Sequence, residues 1–473
     1  MLVRKPQPQS VWSRERWHAR WHGPRRWRIA VVVAVAAGLT ATSVAMGADG
    51  DPDRTGRDTP APAADVSVER LTAGDLAQGI DALHKHLQRQ PKDATGWATL
   101  GTAYVEQART SGDPTRYPQA EKAFERSLKL RPPGENDAAL AGRAALAAAR
   151  HDFGAALGQA DRALRVNPYS ERALSSRVDA LVELGRYDEA LRAAELADRR
   201  RPGIPVFTRY AYVLELHGDA KRARQVLLRA LESAFTPADV AYVATSLGQL
   251  AWSQGQYGRA QGHFTTAVRA DPKYVPALEG RGRTYAAQGQ TKRALRDLEE
   301  VVRRYPLPGQ LAALGELQEA AGQPERAEEQ HALIGTWTRL ARANGVATDL
   351  ESALIEADHG DAEEALKSAR AEWSRRKSVH TADALAWALH ANGKDQEALT
   401  YAKKATAERP GYRNASFLFH RGMIEHALGD DKAARRSLRA ALDLNRGFSL
   451  TGAREAKSVL SGKSALSGPR GES

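Results

Sequence analysis

The chain has 473 residues, 69 Lys and Arg against 57 Asp and Glu, and no cysteine. The missing cysteine excludes structural disulfides and lipid attachment through a thioether. The formal charge of +12 is concentrated at one end: Arg4, Lys5, Arg14, Arg16, Arg20, Arg25, Arg26 and Arg28 stand against Glu15 within residues 1–28, so the remainder gives no support to nucleic-acid binding.

Residues 1–28 form a basic segment that also carries Trp12, Trp17, Trp21 and Trp27. An uncharged apolar run follows over residues 29–48, just long enough at helical rise to cross a hydrocarbon core. The basic flank before it and Asp49, Asp51 and Asp53 after it predict an inward amino terminus and an extracytoplasmic carboxyl-terminal domain. A retained single-pass cell-membrane anchor is the favoured reading. Secretion after signal cleavage near Ala45-Met46-Gly47-Ala48 is the alternative. Residues 49–66, rich in Asp, Pro, Ala, Thr and Gly, read as a flexible linker, and residues 461–473 read as a disordered tail.

Residues 67–460 carry a repeat. Ala190, Ala223, Ala260, Ala294, Ala327, Ala365, Ala398 and Ala434 are each preceded, five residues earlier, by a glycine, from Gly185 to Gly429. Ala156 extends the series, with His151 in the glycine slot. The alanines recur about every 34 residues, a period that means stacked supersecondary units rather than one globular core. In the unit from Ala241 to Tyr274, the residues Ala244, Leu247, Gly248 and Ala251 share one helical face, and Ala260, Phe264 and Ala267 share another. Gly255 supplies the turn between them, and Pro272 separates this unit from the next.

These residues resemble the tetratricopeptide repeat. Trp97, Leu100, Gly101 and Tyr104 reproduce its opening, and Ala120, Phe124, Ser127 and Pro132 reproduce its close. The resemblance implies an all-α solenoid of about ten repeats over residues 67–460, with Gly79 to Pro91 as a candidate capping helix. The units between Pro308 and Lys377 are degenerate, and whether the solenoid divides near 341–346 is left open.

In this family the first helix of each unit lines a concave groove. Carried over unit by unit, the resemblance nominates Tyr212, Tyr242, Trp252, Arg283, His380, Asp383, Trp387, His390 and Phe419 as peptide-binding residues. Aromatic groups beside charged ones are the usual composition of a recognition hot spot. Trp252 and Trp387 are not required by the repeat core; packing against a neighbouring repeat is the competing reading for both. Ala138, Ala141, Ala145 and Ala148, followed by Arg172, Ser175 and Asp179, make the early groove plain. The Lys, Asn and Arg set of the family's clamp for carboxyl-terminal peptides is not found in register.

No metalloprotease, phosphate-loop or nucleophile-elbow motif occurs, and the histidines fall in different units. The expected function is a non-enzymatic, cofactor-free and metal-free scaffold of bacterial origin, membrane-anchored or exported. It would bind an extracytoplasmic protein partner, with cell-envelope assembly as a suitable setting. A secreted binding protein for a glycan or small molecule is the alternative, and an accessory enzyme subunit a more distant one.

Overall fold

The computed structural model describes residues 76–462, apart from residues 408 and 409. Helix α1 (Leu76–Arg89) precedes ten antiparallel pairs. They are α2 (Ala94–Ser111) with α3 (Tyr117–Leu130), α4 (Asp137–Ala149) with α5 (Phe153–Val166), and α6 (Glu171–Glu183) with α7 (Tyr187–Arg200). Next come α8 (Ile204–Leu216) with α9 (Ala220–Glu232), α10 (Pro237–Ser253) with α11 (Tyr257–Ala270), and α12 (Val275–Ala287) with α13 (Thr291–Arg304). The remaining pairs are α14 (Pro308–Ala320) with α15 (Pro324–Ala343), α16 (Asp349–His359) with α17 (Ala362–Arg375), α18 (Val379–Ala391) with α19 (Asp395–Ala405), and α20 (Ala415–Ala427) with α21 (Asp431–Leu444). Helix α22 (Leu450–Leu460) ends the described chain.

Several helices start where short polar side chains satisfy free backbone donors. Asp93, Asp152, Asp219 and Asp430 each accept from an N–H one turn in, and Thr236 with Asp239 forms a reciprocal capping box. Within each pair the axes cross at the repeat alanines. All nine, from Ala156 to Ala434, are at most 1% exposed. Aromatic rings need similar concessions: a methyl at Gly248 would lie 2.7 Å from the Phe264 ring, and one at Gly101 2.7 Å from Phe124. A larger residue at such crossings costs about 1–3 kcal/mol.

The pairs wind into a superhelix with about six repeats to the turn, and the second turn rests directly on the first. The helix-to-helix turn of the second repeat, at His151, meets Ala347 ahead of α16. Gly185 in the third repeat meets Lys377 ahead of α18, and Gly218 in the fourth meets Gly411 ahead of α20. Gly255 in the fifth meets Leu444 ahead of α22. Gly112 in the first likewise packs against Leu307 ahead of α14, where the Tyr305 hydroxyl donates to the Arg109 carbonyl at 2.7 Å. Hydrogen bonds along this seam join residues 188 to 196 apart in sequence.

Helix α15 runs for 20 residues, and Ala341 near its end joins the core cluster of the first repeat, with Tyr104, Ala108 and Tyr117. Among the described residues no helix is long and apolar enough to cross a membrane. The expected anchor at residues 29–48, with membrane attachment and single-pass placement, is corrected on that finding. Residues 29–48 themselves, the basic segment 1–28, the linker 49–66 and the tail beyond 462 lie outside the described residues.

Candidate functional site

The first superhelical turn encloses a lumen of about 1030 Å³, lined by its first-of-pair helices α2, α4, α6, α8, α10 and α12 together with α14. At six repeats to the turn, α4 in the second repeat and α10 in the fifth lie on opposite walls. The α4 wall is aliphatic and small: Ala138, Ala141, Ala145 and Ala148. The α10 wall and its neighbour α12 present Tyr242, Gln249, Trp252, Glu279 and Arg283. One end is closed by α15, α16 and the residues leading into α22, through Trp337, Glu351 and Ser449. The other end opens on the rim carrying Tyr169, Arg201 and Lys273.

The Arg283 guanidinium lies 5.0 Å from the Trp252 ring centre, a cation–π contact. Its nitrogen is 3.6 Å from Glu279, which in turn accepts from Gln310 at 2.9 Å. Tyr242 shares a 3.0 Å hydrogen bond with Thr208. Asp179 and Arg209, both less than a tenth exposed, form a bidentate pair at 2.8–2.9 Å. Burial pushes the Asp179 carboxyl above its ordinary range even with that partner. Four lumen groups have no hydrogen-bond partner in the protein: the Trp252 and Trp337 indole N–H, the Ser175 hydroxyl and one Glu351 carboxylate oxygen. These four atoms are themselves closed off from solvent, so each is a cost to the fold rather than a contact offered to the lumen.

The structure brings three of the nominated residues together here: Tyr242, Trp252 and Arg283. The others lie elsewhere. Tyr212 packs with Tyr412 in the core cluster that spans both turns. His380 is buried between Tyr412 and Phe417, and burial pulls its imidazole down to about 3, leaving it neutral. Asp383 accepts from His420 at 2.9 Å. Trp387, 2% exposed, donates to Asp358 at 2.7 Å and stacks on His420 at 4.2 Å. His390 hydrogen-bonds Asp395 and stacks on Trp387, and Phe419 is fully buried beside Phe448. In the second turn the first-of-pair helices therefore pack on one another, and those side chains fill its centre.

Trp337, Glu351 and Arg209 were missed as lumen features by sequence reasoning, and Ser175 and Asp179, placed on the groove, were read as plain. Trp337 sits on a second-of-pair helix, which the groove pattern of the first helices does not nominate. Among the described residues no group of three or more His, Cys, Asp or Glu could hold a metal ion.

A family model for the tetratricopeptide repeat matches residues 141–205, 245–307 and 384–447. The matched segments cover less than half of the chain, and their helix pairs are similar to the tetratricopeptide repeat. No match is found among curated proteins. Among solved structures, the human IFIT1 dimer with m7Gppp-AAAA is similar at 13% identity and TM-score 0.46, over 82% of this chain and 91% of that one. The Cut9–Hcn1 complex is similar at 11% identity and TM-score 0.38, over 83% and 94%. The thermophilic tetratricopeptide protein TTC0263 of Thermus thermophilus is similar at 25% identity and TM-score 0.33, over 37% and 91%. The family match supports the repeat architecture of the tetratricopeptide solenoid but not a bacterial, membrane-anchored or exported origin, and that expectation is corrected accordingly.

Proposed function

We propose that the protein is a scaffold that holds a segment of a partner polypeptide inside the lumen of its first superhelical turn. The observation that carries this reading is the pairing of opposite walls: small alanines on α4 leave room for side chains, and Trp252, Tyr242 and Arg283 supply anchors across from them. Pockets that engulf whole ligands run to about 300–1,000 Å³, so the lumen has space for a short stretch of chain rather than a folded domain. Gln249, Glu279 and Arg283 on the same wall provide polar groups around that space.

The test is affinity purification of the intact protein beside Trp252→Ala and Arg283→Ala. A polypeptide recovered with the intact chain and lost from both variants, each still fully helical, supports the reading. Undiminished recovery with both variants contradicts it. A non-peptide ligand released on denaturation would transfer the lumen to the glycan or small-molecule alternative.

A further inference from the structure

The seam covers only one rim of the first superhelical turn. His151, Gly185, Gly218 and Gly255 lie against the second turn. The opposite rim, formed by the linkers that follow α3, α5, α7, α9 and α11, has no second layer on it among the described residues. This free rim also surrounds the open mouth of the lumen.

Its composition is distinctive. The two most exposed large apolar side chains among the described residues are Phe235, 85% exposed, and Tyr169, 64% exposed, and both stand on this rim. They occupy linkers two repeats apart. Tyr169 is held in place: Arg200 donates to the adjacent Pro168 carbonyl at 3.1 Å, with its guanidinium 5.9 Å from the Tyr169 ring centre. Around them Arg131, Arg165, Arg199, Arg201, Arg269 and Lys273 are exposed, against exposed Glu135 and Glu232. Helix dipoles account for basic residues in these last helical turns, but not for the outward phenyl and phenol rings among them. Exposed aromatics in a charged surround are the makeup of a recognition surface.

We infer that this free rim docks an acidic polypeptide surface carrying aliphatic side chains: the acids pair with the rim arginines, and the aliphatic groups cover Phe235 and Tyr169. The carboxylates of Glu171 and Asp271 among the bases break the uniform positive field that a polyphosphate would need. Electrostatic matching of this kind sets encounter rate and partner choice, and it is screened by salt.

The test uses the full chain and a fluorescent peptide alternating glutamate and leucine, with a lysine–leucine peptide as its opposite. The acidic peptide binds, the basic one does not, and raised salt weakens binding. Phe235→Ser with Tyr169→Ser, and separately Arg165→Glu with Arg199→Glu, each weaken binding about tenfold or more. Arg436→Glu with Arg439→Glu, on exposed α21, leaves it unchanged. Binding that ignores the rim variants, or that falls equally with the α21 control, overturns the inference. So does tighter binding of the same rim to phosphatidylserine vesicles or to single-stranded RNA than to the acidic peptide. Because all the variants alter exposed positions, circular dichroism separates loss of binding from loss of fold.

Discussion

The Val379 backbone N–H donates to the Tyr187 hydroxyl at 2.8 Å across 192 residues of sequence. Tyr187 opens an outer helix of the third repeat, and Val379 opens an inner helix of the ninth. Beside them Arg376, on the second turn, pairs with Glu183 on the first and with Glu372 on its own turn, while its guanidinium lies 4.8 Å from the Phe153 ring centre. All three charged groups are under a tenth exposed. These contacts hold one superhelical turn against the next, and the stacked turn closes one end of the lumen.

Gly185 and Gly289 occupy the same slot in their repeats and share a left-handed backbone, with φ of 76° and 75°. Their surroundings differ. A methyl at Gly185 would sit 2.3 Å from the Lys377 carbonyl oxygen, whereas one at Gly289 meets nothing within 4 Å. Gly289→Ala therefore costs only the left-handed penalty, about 1–2 kcal/mol. Gly185→Ala costs more, because the two turns must separate. Urea midpoints of the two variants check this, and equal losses would contradict the seam.

His151 is the one non-glycine residue with positive φ among the described residues, at 60°. Its ring pins the seam, with Nδ1 donating to the Ala347 carbonyl at 2.8 Å, and Ala347 N–H returns a bond to the Arg150 carbonyl at 3.1 Å. His151→Ala keeps the backbone strain and loses the pin. His151→Gly loses the pin but relieves strain of about 1–3 kcal/mol. The alanine variant is expected to be the less stable in thermal melts. The reverse order would mean that backbone strain is not stored at this turn.

Arg376→Met leaves the buried Glu183 without its cation and leaves Glu372 with Arg375 alone. Breaking a buried pair by removing one partner costs about 3–5 kcal/mol. Adding Glu183→Gln and Glu372→Gln to Arg376→Met is expected to restore most of that loss. Urea midpoints that stay low in the triple variant would show that the arginine acts through Phe153 packing instead.

Burial pushes the Glu215 carboxyl from an ordinary 4.5 up to about 7, although the Ser253 hydroxyl donates to it at 2.8 Å. Burial does the same to Glu455 in α22. Both carboxyls are more readily protonated folded than unfolded. Their contribution is therefore fully present below the ordinary carboxyl range and is lost as pH rises through about 7. The double variant Glu215→Gln with Glu455→Gln is expected to lose less stability between pH 5 and pH 8 than the parent. An unchanged pH dependence, read from paired melts, would contradict the assigned burial.

The local grammar of the solenoid was legible in the chain. The period predicts where Ala260 and Ala294 bury, where Gly255 and Gly289 turn left-handed, and that His151 takes a glycine's place. The seam was not legible, because it joins residues about 190 apart by pairing single Tyr, His or Asn side chains with backbone groups that carry no sequence signature. The same gap governs the site. Trp252 and Trp387 both sit on inner helices, yet one faces an open lumen and the other is packed among Asp358, His390 and His420. Which inner positions face space depends on how tightly the superhelix winds, a property summed over many repeats.

The most direct test of the account is a photoreactive side chain placed at Ala145 on the lumen wall, compared with one at Gly158 on the exposed outer face of α5. The account predicts a polypeptide cross-linked at Ala145 but not at Gly158, and lost when Trp252→Ala is added. Equal labelling at the two positions, or labelling at Gly158 alone, would contradict a partner held in the lumen.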